Sequence, residues 1–165
     1  LQDKTFKQLV AMNHRYWKKP SGDYMTIDDL NSKYIREQFG DLYEEFYASV
    51  DLGVSVRLGW IALYLDAVKK MKAILDANPT FKLEVKQVKQ KFGQLRLYVR
   101  TWSALRDDEE HEHLLDPSHE PLRAQIEAIV AEAEAIADHT CETCGAPGSI
   151  TSSASIRVSC SKHSK

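Results

Sequence analysis

The residues of this chain best suited to chemistry lie near its C-terminal end. Cys141-Glu142-Thr143-Cys144 is followed by fifteen residues and then by Cys160-Ser161-Lys162-His163, a pattern that uses all three cysteines of the chain. A C-x-x-C turn sets two thiolates on one metal ion without strain, and Zn²⁺ takes four sulfur or nitrogen ligands in a tetrahedron. Two such turns, separated by enough chain for a hairpin, make a closed site. Cys141, Cys144, Cys160 and His163 are therefore the expected ligands of one structural zinc per chain.

The surrounding residues agree. Gly145 follows the second cysteine and Pro147-Gly148 supply a turn soon after. A knuckle needs a left-handed backbone position near its N–H···S contacts, which glycine adopts at no steric cost. Ile156 and Val158 alternate with polar residues ahead of Cys160, as a ribbon strand would. Three unrelated thiols would leave the spacing unexplained. A redox C-x-x-C normally sits in a βαβ context that is absent here. A catalytic zinc keeps a position open for water, and four protein ligands leave none. His139, two residues before Cys141, is a competing nitrogen donor, but the regular Cys160–His163 turn favours His163.

A second group of residues is basic. From Lys82 to Arg106 there are seven Lys or Arg and one acid, Glu84. Leu83, Val85 and Gln87 alternate with Glu84, Lys86 and Val88, and Leu95, Leu97 and Val99 alternate with Arg96, Tyr98 and Arg100, with Phe92-Gly93 between them. This reads as a β-hairpin near 83–101 with one apolar and one basic face. Lys86, Arg96 and Arg100 are expected to share the outward face, with Lys89 and Lys91 flanking the turn as candidate binding residues. Such a face meets phosphates, or an acidic protein, or only solvent. The charge then inverts: residues 107–138 hold eleven Asp or Glu and one Arg. Asp107, Asp108, Glu109 and Glu110, with His111 and His113, read as a polar loop. Consecutive residues on a flexible loop are not pre-arranged for a metal.

The elements that must position these groups are mostly helical. Phe6, Leu9, Val10, Met12, Tyr16 and Trp17 give a loose helical period over 4–18, closed by Lys19-Pro20-Ser21-Gly22. Thr26 with Asp28 and Asp29 reads as an N-cap and acidic first turn, opening a helix through Ile27, Leu30, Tyr34 and Ile35 that Gly40 ends or bends. Leu42, Tyr43, Phe46, Tyr47 and Val50 continue the period to about residue 50. The aromatics from Tyr24 to Tyr47 read as core at helical spacing. Val54 to Asn78 carries the strongest pattern, with Leu58, Ile61, Leu65, Val68, Met71 and Leu75 on one stripe widened by Trp60 and Tyr64, and Asn78-Pro79 stops it. Pro121, suited to a first helical turn, opens a last helix through Leu122, Ile126, Ile129, Ala133 and Ile136 that runs directly into Cys141. The fold class is α+β, mostly helical with a small antiparallel sheet and a C-terminal zinc ribbon. The expected division is a helical α+β domain over 1–138 and a zinc-binding ribbon over 139–165.

Composition bounds the function. The chain has 165 residues, 43% of them hydrophobic and 28% charged, with a formal net charge of −2. That is the balance of an ordinary globular protein, and it rules against nucleic-acid binding by bulk charge, so any such role rests on a local patch. No apolar run approaches the ~18 residues of a membrane span. Three cysteines at metal spacing suggest a reducing compartment, and the opening Leu1-Gln2-Asp3-Lys4-Thr5 shows no signal core. The expected location is cytoplasmic. There is no G-x-S-x-G, phosphate-binding glycine loop or H-E-x-x-H. An enzyme would have to assemble its site from scattered histidines and acids.

Together, Gln87-Val-Lys-Gln-Lys-Phe-Gly-Gln-Leu-Arg-Leu-Tyr-Val99, the Ala- and Glu-rich helix after it, and Thr140-Cys-Glu-Thr-Cys-Gly-Ala-Pro-Gly148 resemble a family of small phage- and prophage-encoded proteins. Leu58-Gly59-Trp60 is similar to that family's G-W segment. The resemblance spans about residues 56–163 and implies a phage setting in a bacterial host, with no catalytic residues. The family often carries a Trp shortly before its last Cys, where Ile156-Arg157-Val158 stand here, and the insert 107–119 is longer than usual. The resulting reading is a zinc-stabilised, non-enzymatic binding protein, a phage accessory protein that binds or inhibits a host protein factor. A basic hairpin beside an acidic loop and helix would steer such a partner. The alternative is a zinc-ribbon protein that binds nucleic acid through the basic hairpin.

Overall fold

The computed structural model describes residues 19–23, 27–104, 114–151 and 155–164. The expected helix over 4–18, the Thr26 cap, Tyr24, Arg106 and the acidic run 107–113 with His111 and His113 lie outside the described residues. The chain forms two compact units, Leu1–Glu44 and Glu45–Lys165.

The first unit contains helix α1 (Ile27–Phe39), with Asp28 and Asp29 in its first turn and Arg36 in its last. That order of charges suits the helix dipole, and Lys19 pairs with Asp29 at 2.9 Å. Gly40 takes a left-handed φ of 53°, the conformation that ends an α-helix most cheaply on glycine. Beyond it the regular period expected to continue to residue 50 is broken. Gly40–Leu42 form a 3₁₀ turn and Glu44–Ala48 a π-helical turn.

The second unit is α+β, as its pattern of elements requires. Strand β1 (Val54–Ser55) precedes helix α2 (Leu58–Ala77), so the helix begins later than expected and the residues before it are extended. Strands β2 (Phe81–Lys91) and β3 (Gln94–Ser103) form the hairpin, and β1 adds to β2 in parallel. The sheet is therefore mixed, in the order β1-β2-β3. Helix α3 (Glu120–Ala137), entered through a 3₁₀ turn at Pro117–His119, lies against both α2 and β3. A second sheet pairs β4 (Ser149–Thr151) with β5 (Arg157–Ser159). Trp60, Tyr64, Val68 and Met71 of α2, Phe81 and Val88 of β2 and Ile126 of α3 are almost fully buried. Tyr64 donates its hydroxyl to the carbonyl of Phe46, and burial pushes its phenol well above the ordinary range. No helix among the described residues is long and apolar enough to cross a membrane.

The hairpin departs from simple alternation. Val85 pairs with Val99 and Gln87 with Tyr98, so Lys86 is the extra residue of a β-bulge. A bulge of one residue reverses which side chains face inward. Phe81, Leu83 and Val85 face the core before it, and Val88 after it. The expectation that Gln87 would follow Leu83 and Val85 inward is thus corrected: Val88 is buried against Leu97, while Gln87 shares the outward face with Tyr98. The turn closes in two residues, with Phe92 at φ 54° and Gly93 at φ 75°. Both being left-handed matches the twist of the strands, but a bulky L-residue in that region costs roughly 1–2 kcal/mol. The free edge of β3 is blunted where the Leu97 N–H donates to Glu134 of α3 at 3.3 Å, which protects it from pairing with another chain.

The bulge makes a direct prediction. Val88→Thr places a hydroxyl in the core and should cost about 1–3 kcal/mol in urea unfolding, whereas Gln87→Thr should stay within about 0.5 kcal/mol. The reverse order would mean that the strand runs through residue 86 without a bulge.

Candidate metal centre

Helix α3 ends at Ala137 and delivers the chain straight into the first cysteine turn. A bridge between Thr140 and Pro147 closes the base of that turn. Within it the Cys141 N–H donates to Ala146 O at 2.7 Å and the Gly145 N–H to Cys141 O at 2.9 Å, with Gly145 at φ 79°. The β4–β5 hairpin then brings the second turn back, where the His163 N–H donates to Cys160 O at 3.1 Å.

The result is a cluster in which one donor atom from each of Cys141, Cys144, Cys160 and His163 lies within 4.8 Å of every other. Cys144 Sγ and Cys160 Sγ are 3.7 Å apart. The Nδ1 of His163 lies 3.6 Å from Cys141 Sγ and 3.2 Å from Cys160 Sγ. A tetrahedral zinc with ordinary Zn–S and Zn–N bonds sets its sulfurs about 3.8 Å apart and sulfur from nitrogen about 3.6 Å apart. The donor set and its spacing fit a metal ion, and soft thiolates with an imidazole select zinc over hard cations such as Mg²⁺ or Ca²⁺. Nδ1 is the nitrogen that faces the sulfurs. His139 is not in the cluster; it is exposed, and its carbonyl accepts from the Gly148 N–H at 2.9 Å.

The electrostatics also suit a cation. Burial pushes the Cys141 thiol up, but backbone hydrogen bonds from Cys160, Cys144 and Thr143 outweigh it and bring the group down to about 6. Burial raises Cys144 against a backbone hydrogen bond from Ala146, and the sulfurs of Cys141 and Cys160 add to the rise. Two thiolates side by side repel, and a divalent ion between them removes that conflict.

Sequence reasoning missed the seat on which this knuckle rests. A Cβ built on Gly59, in the first turn of α2, would lie 2.2 Å from Cys141 O, 2.5 Å from Gly145 N and 2.8 Å from the Glu142 carbonyl carbon. Only a hydrogen fits there. The Gly59 N–H donates to Glu142 O at 2.9 Å, and the Trp60 indole N–H donates to Thr140 O at 2.9 Å. Helix α2 thus spends an unsatisfied N-terminal donor on the knuckle. Glu142, inside the first turn, is buried, with Arg57 Nε at 3.8 Å and Gln90 Nε2 at 3.4 Å from its carboxylate. Gln90 also donates to Ile156 O at 2.9 Å. The side chains of Ile150 and Ile156 come within 3.0 Å of a Cβ built on Gly93. The ribbon therefore touches both the start of α2 and the turn of the basic hairpin. The only trace of the seat in the sequence was the Gly59-Trp60 pair.

The basic residues are placed as follows. Lys82, Glu84, Lys89 and Lys91 pair with Trp102, Arg100, Arg96 and Gln94, so these side chains share the outward face. Glu84 sits in the middle of it, holding Arg100 at 2.8 Å and Lys86 at 3.5 Å, and Lys86 also reaches Asp51 at 3.0 Å. Among the described residues, Lys82, Lys89, Lys91 and Arg96 make no ion pair. A separate polar cluster joins the end of β3 to the start of α3. Ser103 Oγ accepts from the Asp116 N–H at 2.8 Å and lies 2.7 Å from His119 Nδ1, and His119 Nε2 is 3.4 Å from Thr80 Oγ1. Ser103 and His119 are both buried, and the cluster stitches three segments together.

No family model, curated protein or solved structure matches the chain.

The Gly59 contact yields a prediction. Gly59→Ala must push the knuckle off the helix, an overpacking that should cost about 1–3 kcal/mol or more and slow metal uptake by the reduced protein. An alanine variant as stable as the parent in urea would contradict the close approach.

Proposed function

We propose that this chain is a zinc-stapled, non-enzymatic binding protein whose working surface is the outward face of the β2–β3 hairpin. The observation that carries this reading is the contact of the ribbon with the Gly93 turn, through Ile150, Ile156 and the Gln90 hydrogen bonds. A metal at Cys141, Cys144, Cys160 and His163 would fold the ribbon and thereby fix the hairpin's far end. All four tetrahedral positions would be filled by protein, which is the arrangement of a structural site. Lys89, Lys91 and Arg96 present cations without carboxylate partners among the described residues, so the partner is an anionic macromolecule. The resemblance to small phage and prophage proteins supports the setting of an accessory protein that acts on a host component in the bacterial cytoplasm. Lys86 and Arg100 are tied to Asp51 and Glu84 and act mainly by shaping the face.

Two measurements test the reading. Protein kept reduced throughout should carry one zinc per chain, and Cys144→Ser should lose it. Because structural zinc supplies folding free energy, on the order of 10 kcal/mol in isolated fingers, the ribbon should melt first. The double variant Arg96→Glu, Arg100→Glu should cost at most about 1 kcal/mol of stability, from the carboxylate now facing Glu84. It should nevertheless slow association with any polyanion the parent binds. Metal-free reduced protein, or a double variant with unchanged association, would overturn the proposal.

A further inference from the structure

The outward face of the hairpin carries more than charge. Arg96, Tyr98 and Trp102 share one face by alternation along β3, and the bulge at Lys86 in β2 brings Lys89 and Lys91 onto that same face. Each of three aromatic rings of the hairpin, Tyr98, Trp102 and Phe92, has a cation against it. Lys89 Nζ lies 5.7 Å from the Tyr98 centroid, Arg100 Cζ 5.0 Å from that of Trp102, and Lys91 Nζ 5.7 Å from that of Phe92 at the turn. Tyr98 is 45% exposed and Phe92 68% exposed. Phe92 also holds a left-handed backbone, with φ 54°. Asn or Gly would make the same turn without strain, and an exposed ring returns little by burial. Strain kept at an exposed position points to a role outside the fold.

We propose that this face binds single-stranded nucleic acid, with bases stacked on Tyr98 and Phe92 and phosphates held by Lys82, Lys89, Lys91 and Arg96. The inference rests on the reading above that this face is the working surface, and it names the partner's class. Unpaired bases offer their π-faces to aromatic side chains, and interleaved cations follow the backbone. A duplex keeps its bases stacked on one another and would meet only the cations. An acidic protein would satisfy the charges and make no use of the exposed rings of Tyr98 and Phe92. Three of the four acids of α3 are engaged away from the cations of this face, and the fourth, Glu127, lines a cleft beside Arg100, which is not among the proposed phosphate contacts. Glu132 reaches Lys70 of α2, Glu134 caps the edge of β3 and Glu120 pairs with Arg123.

The test is fluorescence anisotropy on the zinc-loaded full chain with three probes: a labelled oligothymidylate strand, its duplex with oligodeoxyadenylate, and labelled poly-L-glutamate. The strand should bind more tightly than the duplex at every salt concentration, with affinity falling as salt rises. Tyr98→Ala should weaken strand binding on the order of 10-fold or more, with zinc content and circular dichroism unchanged. Phe92→Asn should keep or raise the unfolding temperature and still weaken strand binding, an outcome that a purely structural role for Phe92 would not give. Equal affinity for strand and duplex, or full affinity in both variants, would overturn the inference. Binding of poly-L-glutamate without strand binding would overturn it while leaving the hairpin as the working surface. Binding of none of the three probes would overturn both.

Discussion

The C-terminal unit depends on one close approach. The backbone of Gly59 lies against the turn that carries Cys141 and Cys144, near enough that a methyl group would overlap the Cys141 carbonyl. Two hydrogen bonds lock the contact, from the Gly59 amide and the Trp60 indole. The start of α2 is thereby joined to the end of α3, although the two are far apart in the sequence. The cysteine turns hang from that joint, so the Cys141, Cys144, Cys160 and His163 cluster that can hold a metal is part of the packing of the helices rather than an appendage to it.

The same joint organises the hairpin. Glu142 sits between Arg57 from the start of α2 and Gln90 from β2. Burying a carboxylate is costly unless its oxygens are paired and hydrogen-bonded. Its place inside the first cysteine turn ties the knuckle to both elements at once. Through Gln90 and the isoleucines around Gly93, the ribbon supports the far end of the basic hairpin. A strained Phe92 can persist there because the surrounding contacts hold the turn in place.

Much of this was legible in the sequence. The spacing of Cys141, Cys144, Cys160 and His163 identified a cluster that can hold a metal, because turn geometry at that spacing is local. Helices α2 and α3 showed in their apolar stripes, and the α+β class followed from the order of elements. What was not legible is non-local. The bulge at Lys86 is set by the fit of Val88 into the core, and simple alternation put Val88 on the wrong side. The extended start at Val54–Ser55 depends on pairing with Val88–Lys89, and nothing within those two residues distinguishes it from a first helical turn. The role of Gly59 was hidden for the same reason, since a glycine near a helix start has many local explanations and only the partner backbone reveals this one.

The metal is the contact on which the ribbon and the hairpin turn are proposed to depend. Zinc-edge X-ray absorption on the protein, purified and kept reduced, reads the coordination sphere directly. Three sulfurs at about 2.3 Å and one nitrogen at about 2.0–2.1 Å are predicted. A shell made only of oxygen and nitrogen, or no zinc signal in the folded protein, would contradict a zinc staple at this site.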